Sequence, residues 1–159
     1  MSVSLRCYST SLGCPKNRVD TERLLGSLGA ALVPVGSPDE ADLVFINTCA
    51  FIQPATEESV RTIAQAIADI EDLPKRPLLA VAGCLVGRYH AEDLAPELPE
   101  VDLWLDNSDL EEWPAMLARK LGLPDPTVPG RILSTGPSYA WLKISDGCRH
   151  ACSFCAIPD

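Results

Sequence analysis

Three thiols within eight consecutive residues carry the most specific chemistry of this sequence: Cys148, Cys152 and Cys155 form a C-x-x-x-C-x-x-C run, set between Ser145-Asp146-Gly147 and Ala156-Ile157-Pro158. A structural zinc site, or an iron-sulfur cluster fully ligated by protein, takes four ligands. Three thiolates on one short loop leave one corner of a cubane open to an outside molecule. His150 supplies an alternative, because Cys148, His150, Cys152 and Cys155 could bind zinc as Cys3His. That reading is the weaker one: zinc ligands usually come as two separated knuckles, and here all four would wrap one metal from a single loop.

Three further cysteines, Cys14, Cys49 and Cys84, are spread along the chain at equal intervals of 35 residues. Taken singly, each would be read as a small buried hydrophobe. Their positions relative to the expected strands argue otherwise. Cys7 differs, lying inside an apolar strand pattern two residues from Leu5, and is assigned to packing.

The elements that must position these residues can be read from hydrophobic period. Val3, Leu5 and Cys7 alternate with polar neighbours as on a first strand, and Ser9 to Asn17 reads as a loop. A helix is expected from Asp20 to Leu28 and a short strand from Ala31 to Val35. Asp42 to Asn47 holds a continuous apolar run, the mark of a strand buried on both faces. The clearest helix runs from Thr56 to Leu73, with Val60, Ile63, Ala64, Ile67 and Ile70 on one stripe and Pro54 and Pro74 bracketing it. Leu78 to Ala82 is a further strand, followed by a short helix near Tyr89 to Leu94, a strand at Val101 to Leu105 and a helix from Ser108 to Leu121. Ser108 and Glu111 have the capping-box spacing.

Strand and helix thus alternate about five times, predicting an α/β fold with an open, mostly parallel sheet and helices on both faces. Cys14, Cys49 and Cys84 each fall just past the carboxyl end of a strand. In such a sheet those loops share one edge, where ligands bind, so the three thiols would meet in space and could hold a second cluster with an open iron. Residues 1–121 are expected to form this domain, and its apolar strands and long helix should close a core without metal. Residues 122–137, rich in Gly and Pro, read as a linker. Residues 138–159 read as the first strand, Tyr139 to Ser145, and the cluster loop of a truncated α/β barrel, with order falling after about Gly130.

Composition restricts the function classes. With 159 residues and 47% apolar content there is material for one sizeable core. No run approaches the roughly 20 apolar residues of a membrane span, and no signal-peptide pattern opens the chain, so no membrane partner and a cytoplasmic location are expected. An odd count of seven cysteines suits free thiols or metal ligands in a reducing compartment better than disulfides. The formal net charge of −9 argues against a primary grip on a phosphate backbone and suits a basic protein partner, although acidity can also serve solubility alone.

Cys148, Cys152 and Cys155 with their flanks resemble the radical S-adenosylmethionine signature. Together with Gly13-Cys14-Pro15-Lys16-Asn17, Asn47-Thr48-Cys49-Ala50-Phe51-Ile52 and Gly83-Cys84-Leu85, they make the whole chain similar to the methylthiotransferase family, and to its ribosomal-protein branch more than its transfer-RNA branch. Thr21 stands where Ser is usual. The resemblance implies two [4Fe-4S] clusters, one on Cys14, Cys49 and Cys84 and one on Cys148, Cys152 and Cys155. S-adenosylmethionine would sit on the second, with Phe154 beside its adenine, or else under the loop as a core aromatic. It further implies an electron donor, and methylthiolation at the β-carbon of an aspartate in a small-subunit ribosomal protein, with nucleic acid met only through the ribosome. Most of the barrel and the last domain of that family have no counterpart here, so these 159 residues are expected to be inactive alone. A transfer-RNA methylthiotransferase and a non-catalytic metal-binding module are the alternatives.

Overall fold

A computed structural model of the chain describes residues 4–126, 128–155 and 157. Five strands, β1 (Leu5–Ser11), β2 (Leu32–Pro34), β3 (Leu43–Thr48), β4 (Leu78–Gly83) and β5 (Leu103–Leu105), form one sheet in the order β2-β1-β3-β4-β5. Every neighbouring pair is parallel. The connecting helices are α1 (Pro15–Leu28), α2 (Gln53–Ile70), α3 (Cys84–Tyr89), α4 (Ala91–Leu94) and α5 (Trp113–Leu121).

Alternation along the central strands makes two cores. Leu43, Phe45, Ala80 and Ala82 face α1 and α5, packing with Leu24, Leu28, Trp113 and Leu117. Val44, Ile46, Leu79 and Val81 face the other way, toward Ile63, Ala66 and Ile70 of α2 and Leu85 and Val86 of α3. The expected α/β class, with helices on both faces, is therefore the observed one. Cys7 is buried in the first core, where desolvation pushes its thiol up to about 12, and it stays a packing residue.

Several boundaries differ from the sequence reading, each for a local reason. The first strand reaches Ser11, because Ser9, Thr10 and Ser11 pair with Phe45, Ile46 and Asn47 of the buried β3; Val3 lies outside the described residues. Helix α1 starts at Pro15 rather than Asp20, with proline in its first turn, where no hydrogen bond is lost. Pro54 plays the same part in α2. The buried stripe of α2 is Thr56, Ser59, Ile63, Ala66 and Ile70, so the apolar face is rotated and Val60 is 42% exposed. The helix expected near Tyr89 splits at His90, whose φ of 59° interrupts it. The capping box does not form; instead the Asp106 carboxylate accepts from the Ser108 amide at 2.8 Å.

Beyond α5 the chain crosses back onto α1. Gly130 N–H donates to Ser27 Oγ at 3.4 Å and Ile132 N–H to the Glu22 carbonyl at 3.0 Å. The segment read as a linker thus lies against the helix. Tyr139 to Ser145, expected as a strand, is not one: among the described residues no strand runs beside it to complete a ladder.

Asp42, at the start of β3, ties the amino edge of the sheet. It accepts from Arg6 N–H at 3.0 Å, Arg6 Nε at 3.2 Å and Lys75 Nζ at 2.7 Å. The Lys75 ammonium, and then the Arg6 amide and guanidinium, hold its carboxyl well below the usual range. A depressed carboxylate contributes stability that is complete above its unfolded value, about 3.9, and is lost as pH falls toward the folded value. The expected result is that Asp42→Asn lowers the urea midpoint at about pH 6 and that its gap from wild type closes toward about pH 2.

Candidate functional site

The winding of the sheet reverses between β1 and β3, and in open sheets of this kind ligands bind beside the carboxyl ends of the strands at such a point. Three loops end there. Cys14 occupies the N-cap of α1, Cys49 follows the last residue of β3, and Cys84 is the first residue of α3 directly after β4. Cys14 is exposed, Cys84 half-buried and Cys49 buried.

Two asparagines bind the three loops together. Asn17 Nδ2 donates to the carbonyls of Leu12 at 3.0 Å and Thr48 at 2.7 Å, and its Oδ1 faces the Cys84 thiol at 3.9 Å. Asn47 Nδ2 donates in turn to the Asn17 carbonyl at 2.8 Å and to Thr21 Oγ1 at 3.1 Å. Ser59, fully buried on α2, accepts from Cys49 N–H at 3.0 Å and donates to Cys49 O at 2.7 Å. Thr48 Oγ1 bridges the Ala82 carbonyl, at 2.6 Å, to the Leu85 amide, at 3.2 Å. The backbone of each thiol loop is therefore fixed from outside the thiols themselves.

Gly13, with φ of 80°, brings the first two loops into contact. A Cβ there would lie 2.5 Å from Cys49 Cβ and 2.6 Å from its Sγ. Burial pushes the Cys84 thiol up, the Asn107 side-chain hydrogen bond at 3.6 Å opposes this, and nearby Cys49 and Cys14 push it up further. Three thiolates at one edge of the sheet repel each other unless a cation neutralises them, and that donor chemistry fits a metal cluster. Among the described residues no three of His, Cys, Asp and Glu are close enough to share one metal ion; a cubane needs a wider triangle, since each thiolate binds a different iron.

The second triad lies on an exposed loop. Cys148 and Cys152 are exposed and Cys155 is half-buried, with Cys155 N–H donating to the Cys152 carbonyl at 3.0 Å to close a turn. Phe154 is 90% exposed and His150 is exposed. Ala156 and Pro158 lie outside the described residues. The loop is tied to the start of α1 through Asp146, which pairs with Lys16 Nζ at 3.6 Å and with Lys143. Lys16 stands two residues after Cys14 and Asp146 two before Cys148, so the two thiol sites flank one ion pair.

The sequence reading quoted Asn17, Asn47 and Thr48 within its motifs but gave them no role, and it did not single out Ser59. Two of them had a visible signal, since a polar Asn47-Thr48 ends an otherwise apolar buried strand. Ser59 had none, because its value depends on the phase of α2.

With this geometry in view, similarity to known proteins can be weighed. The chain is 71% identical over 151 residues to the ribosomal protein uS12 methylthiotransferase RimO of Nitratidesulfovibrio vulgaris strain DP4, covering 95% of this chain and 35% of that protein. The protein of the same name from Lawsonia intracellularis is 58% identical over 158 residues, 99% of this chain and 36% of that one. That from Aquifex aeolicus is 46% identical over 149 residues, 93% and 32%. A family model described as Uncharacterized protein family UPF0004 matches residues 6–106, which include the whole first thiol triad. The chain belongs to the UPF0004 family. This UPF0004 chain spans about a third of the length of those relatives, 35% of the first.

Proposed function

We propose that this chain is part of a two-cluster radical S-adenosylmethionine methylthiotransferase acting on a ribosomal protein. Cys14, Cys49 and Cys84 would hold one [4Fe-4S] cluster. Cys148, Cys152 and Cys155 would hold another, with S-adenosylmethionine at its open iron and Phe154 beside the adenine. The observation that carries the reading is the convergence of three separated thiol loops at the carboxyl edge of the sheet, beside a C-x-x-x-C-x-x-C loop.

When bound, the second cluster and S-adenosylmethionine supply a 5′-deoxyadenosyl radical able to take hydrogen from an unactivated carbon. The chain's own residues hold and orient. Asn17, Asn47 and Ser59 keep the first thiol loops in place, and Asp20 and Glu22 of α1 carry the segment leading to the second triad.

The substrate class in this reading is that named for the relatives, ribosomal protein uS12, and the motif resemblance would put the new bond at an aspartate β-carbon of such a small-subunit protein. A net charge of −9 supports a basic protein partner over a transfer RNA, with nucleic acid met only through the ribosome. An electron donor and a cytoplasmic setting belong to the same reading. Among the described residues no helix is long and apolar enough to cross a membrane.

Anaerobic reconstitution with iron and sulfide tests the core of this. We expect about eight irons and about eight sulfides per chain, and about four of each in Cys49→Ala or Cys148→Ala. Zinc near one per chain with no sulfide uptake would instead support the zinc-binding module.

A further inference from the structure

Helix α1 buries two carboxylates on different sides of its axis, Glu22 and Asp20, and each is met by a cation from the returning chain. Glu22, with a side chain 2% exposed, accepts from Arg131 Nε at 2.9 Å and Nη2 at 2.7 Å on one oxygen. Its other oxygen accepts from Ser134 N–H at 2.8 Å and Ser134 Oγ at 2.6 Å. Asp20 accepts from Lys143 Nζ at 2.9 and 3.0 Å, and that lysine side chain is only 10% exposed. The same Arg131 guanidinium reaches on to the Trp141 carbonyl at 2.6 Å. One turn beyond Glu22 the backbones lie flush, since a Cβ on Gly26 or Gly130 would overlap the other segment's main chain.

An apolar contact of this size would allow the segment to slide along the helix. A planar guanidinium and two further donors on one buried carboxylate fix both position and angle. Helix α1 starts at Pro15, directly after Cys14, so Glu22 lies about 12 Å along a rigid axis from the first thiol site. The segment held at Glu22 and Asp20 then runs through Asp146 into Cys148.

We infer that α1 is a strut fixing the separation of the two thiol sites, with Glu22 as its positioning residue: the buried carboxylate clamps residues 130–143, on which Cys148, Cys152 and Cys155 ride. The functional weight of this rests on the two-cluster reading; the clamp itself does not. Burial works to raise the Glu22 carboxyl, but the Ser134 and Arg131 hydrogen bonds overcome it and hold the group below its usual range.

The test begins with the iron-free chain, comparing wild type, Glu22→Gln and, as a variant that leaves the helix intact, Ser134→Ala. Amide exchange at Ile132 and Ser134 should speed by about tenfold or more in Glu22→Gln while β3 and β4 keep their protection. A zero-length carbodiimide should join Lys16 to Asp146 in wild type, and the yield should fall severalfold in Glu22→Gln, read by mass spectrometry. In the reconstituted chain, dipolar electron paramagnetic resonance should show a broader distance distribution between the two clusters at unchanged iron content. Unchanged exchange in both variants, or faster exchange with an unchanged Lys16–Asp146 yield, would overturn the inference. General loss of protection in β3 and β4 with Glu22→Gln would pass the decision to Ser134→Ala, for which the same exchange and crosslink outcomes apply. If wild type takes up no iron, the two-cluster reading fails while exchange and crosslinking still decide the clamp.

Discussion

Gly83→Ala is expected to cost more than about 3 kcal/mol and to lower the urea midpoint of the iron-free chain more than other glycine-to-alanine changes. Gly83 joins β4 to α3 with φ of 100° and ψ of −159°, a region essentially closed to residues with a side chain. Space is equally restrictive. An added Cβ would lie 2.6 Å from the Thr48 carbonyl oxygen and 2.9 Å from its nitrogen, in the neighbouring central strand. Neither can withdraw, because Thr48 and Gly83 are buried register partners on the two central strands. The Asn47 Oδ1 atom occupies the remaining space, and it is buried with no hydrogen-bond donor among the described residues. Strain and overlap therefore add. Gly136→Ala is the control: nothing lies within 4 Å of its Cβ position, so a change within about 0.5 kcal/mol is expected. Circular dichroism during urea unfolding measures both, and equal midpoints would contradict the argument.

This glycine also illustrates what the sequence made legible and what it hid. Apolar runs at Leu43 to Ile46 and Leu78 to Ala82 are buried on both faces, which is why an open parallel sheet could be read from them. Once the sheet is given, Cys14, Cys49 and Cys84 must share its carboxyl edge, and they do. Hydrophobic period is less informative at the ends of elements. Ser9 to Asn17 read as a loop because it holds Gly13, Cys14 and Pro15, yet that proline opens α1.

Two kinds of contact were not legible. The phase of α2 is set by Ser59, whose hydroxyl is satisfied only by the backbone of Cys49, ten residues away. The docking of Arg131, Ser134 and Lys143 on α1 joins residues more than 100 positions apart, and no local pattern announces such pairs. The Gly and Pro content of 122–137 made that stretch read as a linker. It could not reveal that Gly130 is the residue allowing the segment to lie flush on Gly26.

Gly13→Ala should separate site from fold. Its φ of 80° costs an alanine roughly 1–3 kcal/mol, and the new methyl would meet Cys49 at its Cβ and Sγ. No buried strand is struck, so the chain should remain folded with both cores intact. The overlap must be relieved among the thiol loops, however. Cys49 is held on both its amide and its carbonyl by Ser59, and the Leu12 end of the Gly13 loop is held by Asn17 Nδ2 and by the Leu12 amide bonded to the Asn47 carbonyl at 2.8 Å. What yields is the spacing of Cys14 and Cys49, the quantity a cluster reads directly, since each thiolate must reach its own iron. Reconstituted Gly13→Ala should accordingly lose about four irons per chain while Cys148, Cys152 and Cys155 keep theirs, and its far-ultraviolet circular dichroism should match wild type. Wild-type iron content in this variant would show that the Gly13 contact does not set the thiol triangle. Loss of all iron together with the circular dichroism signal would show that the fold had gone first.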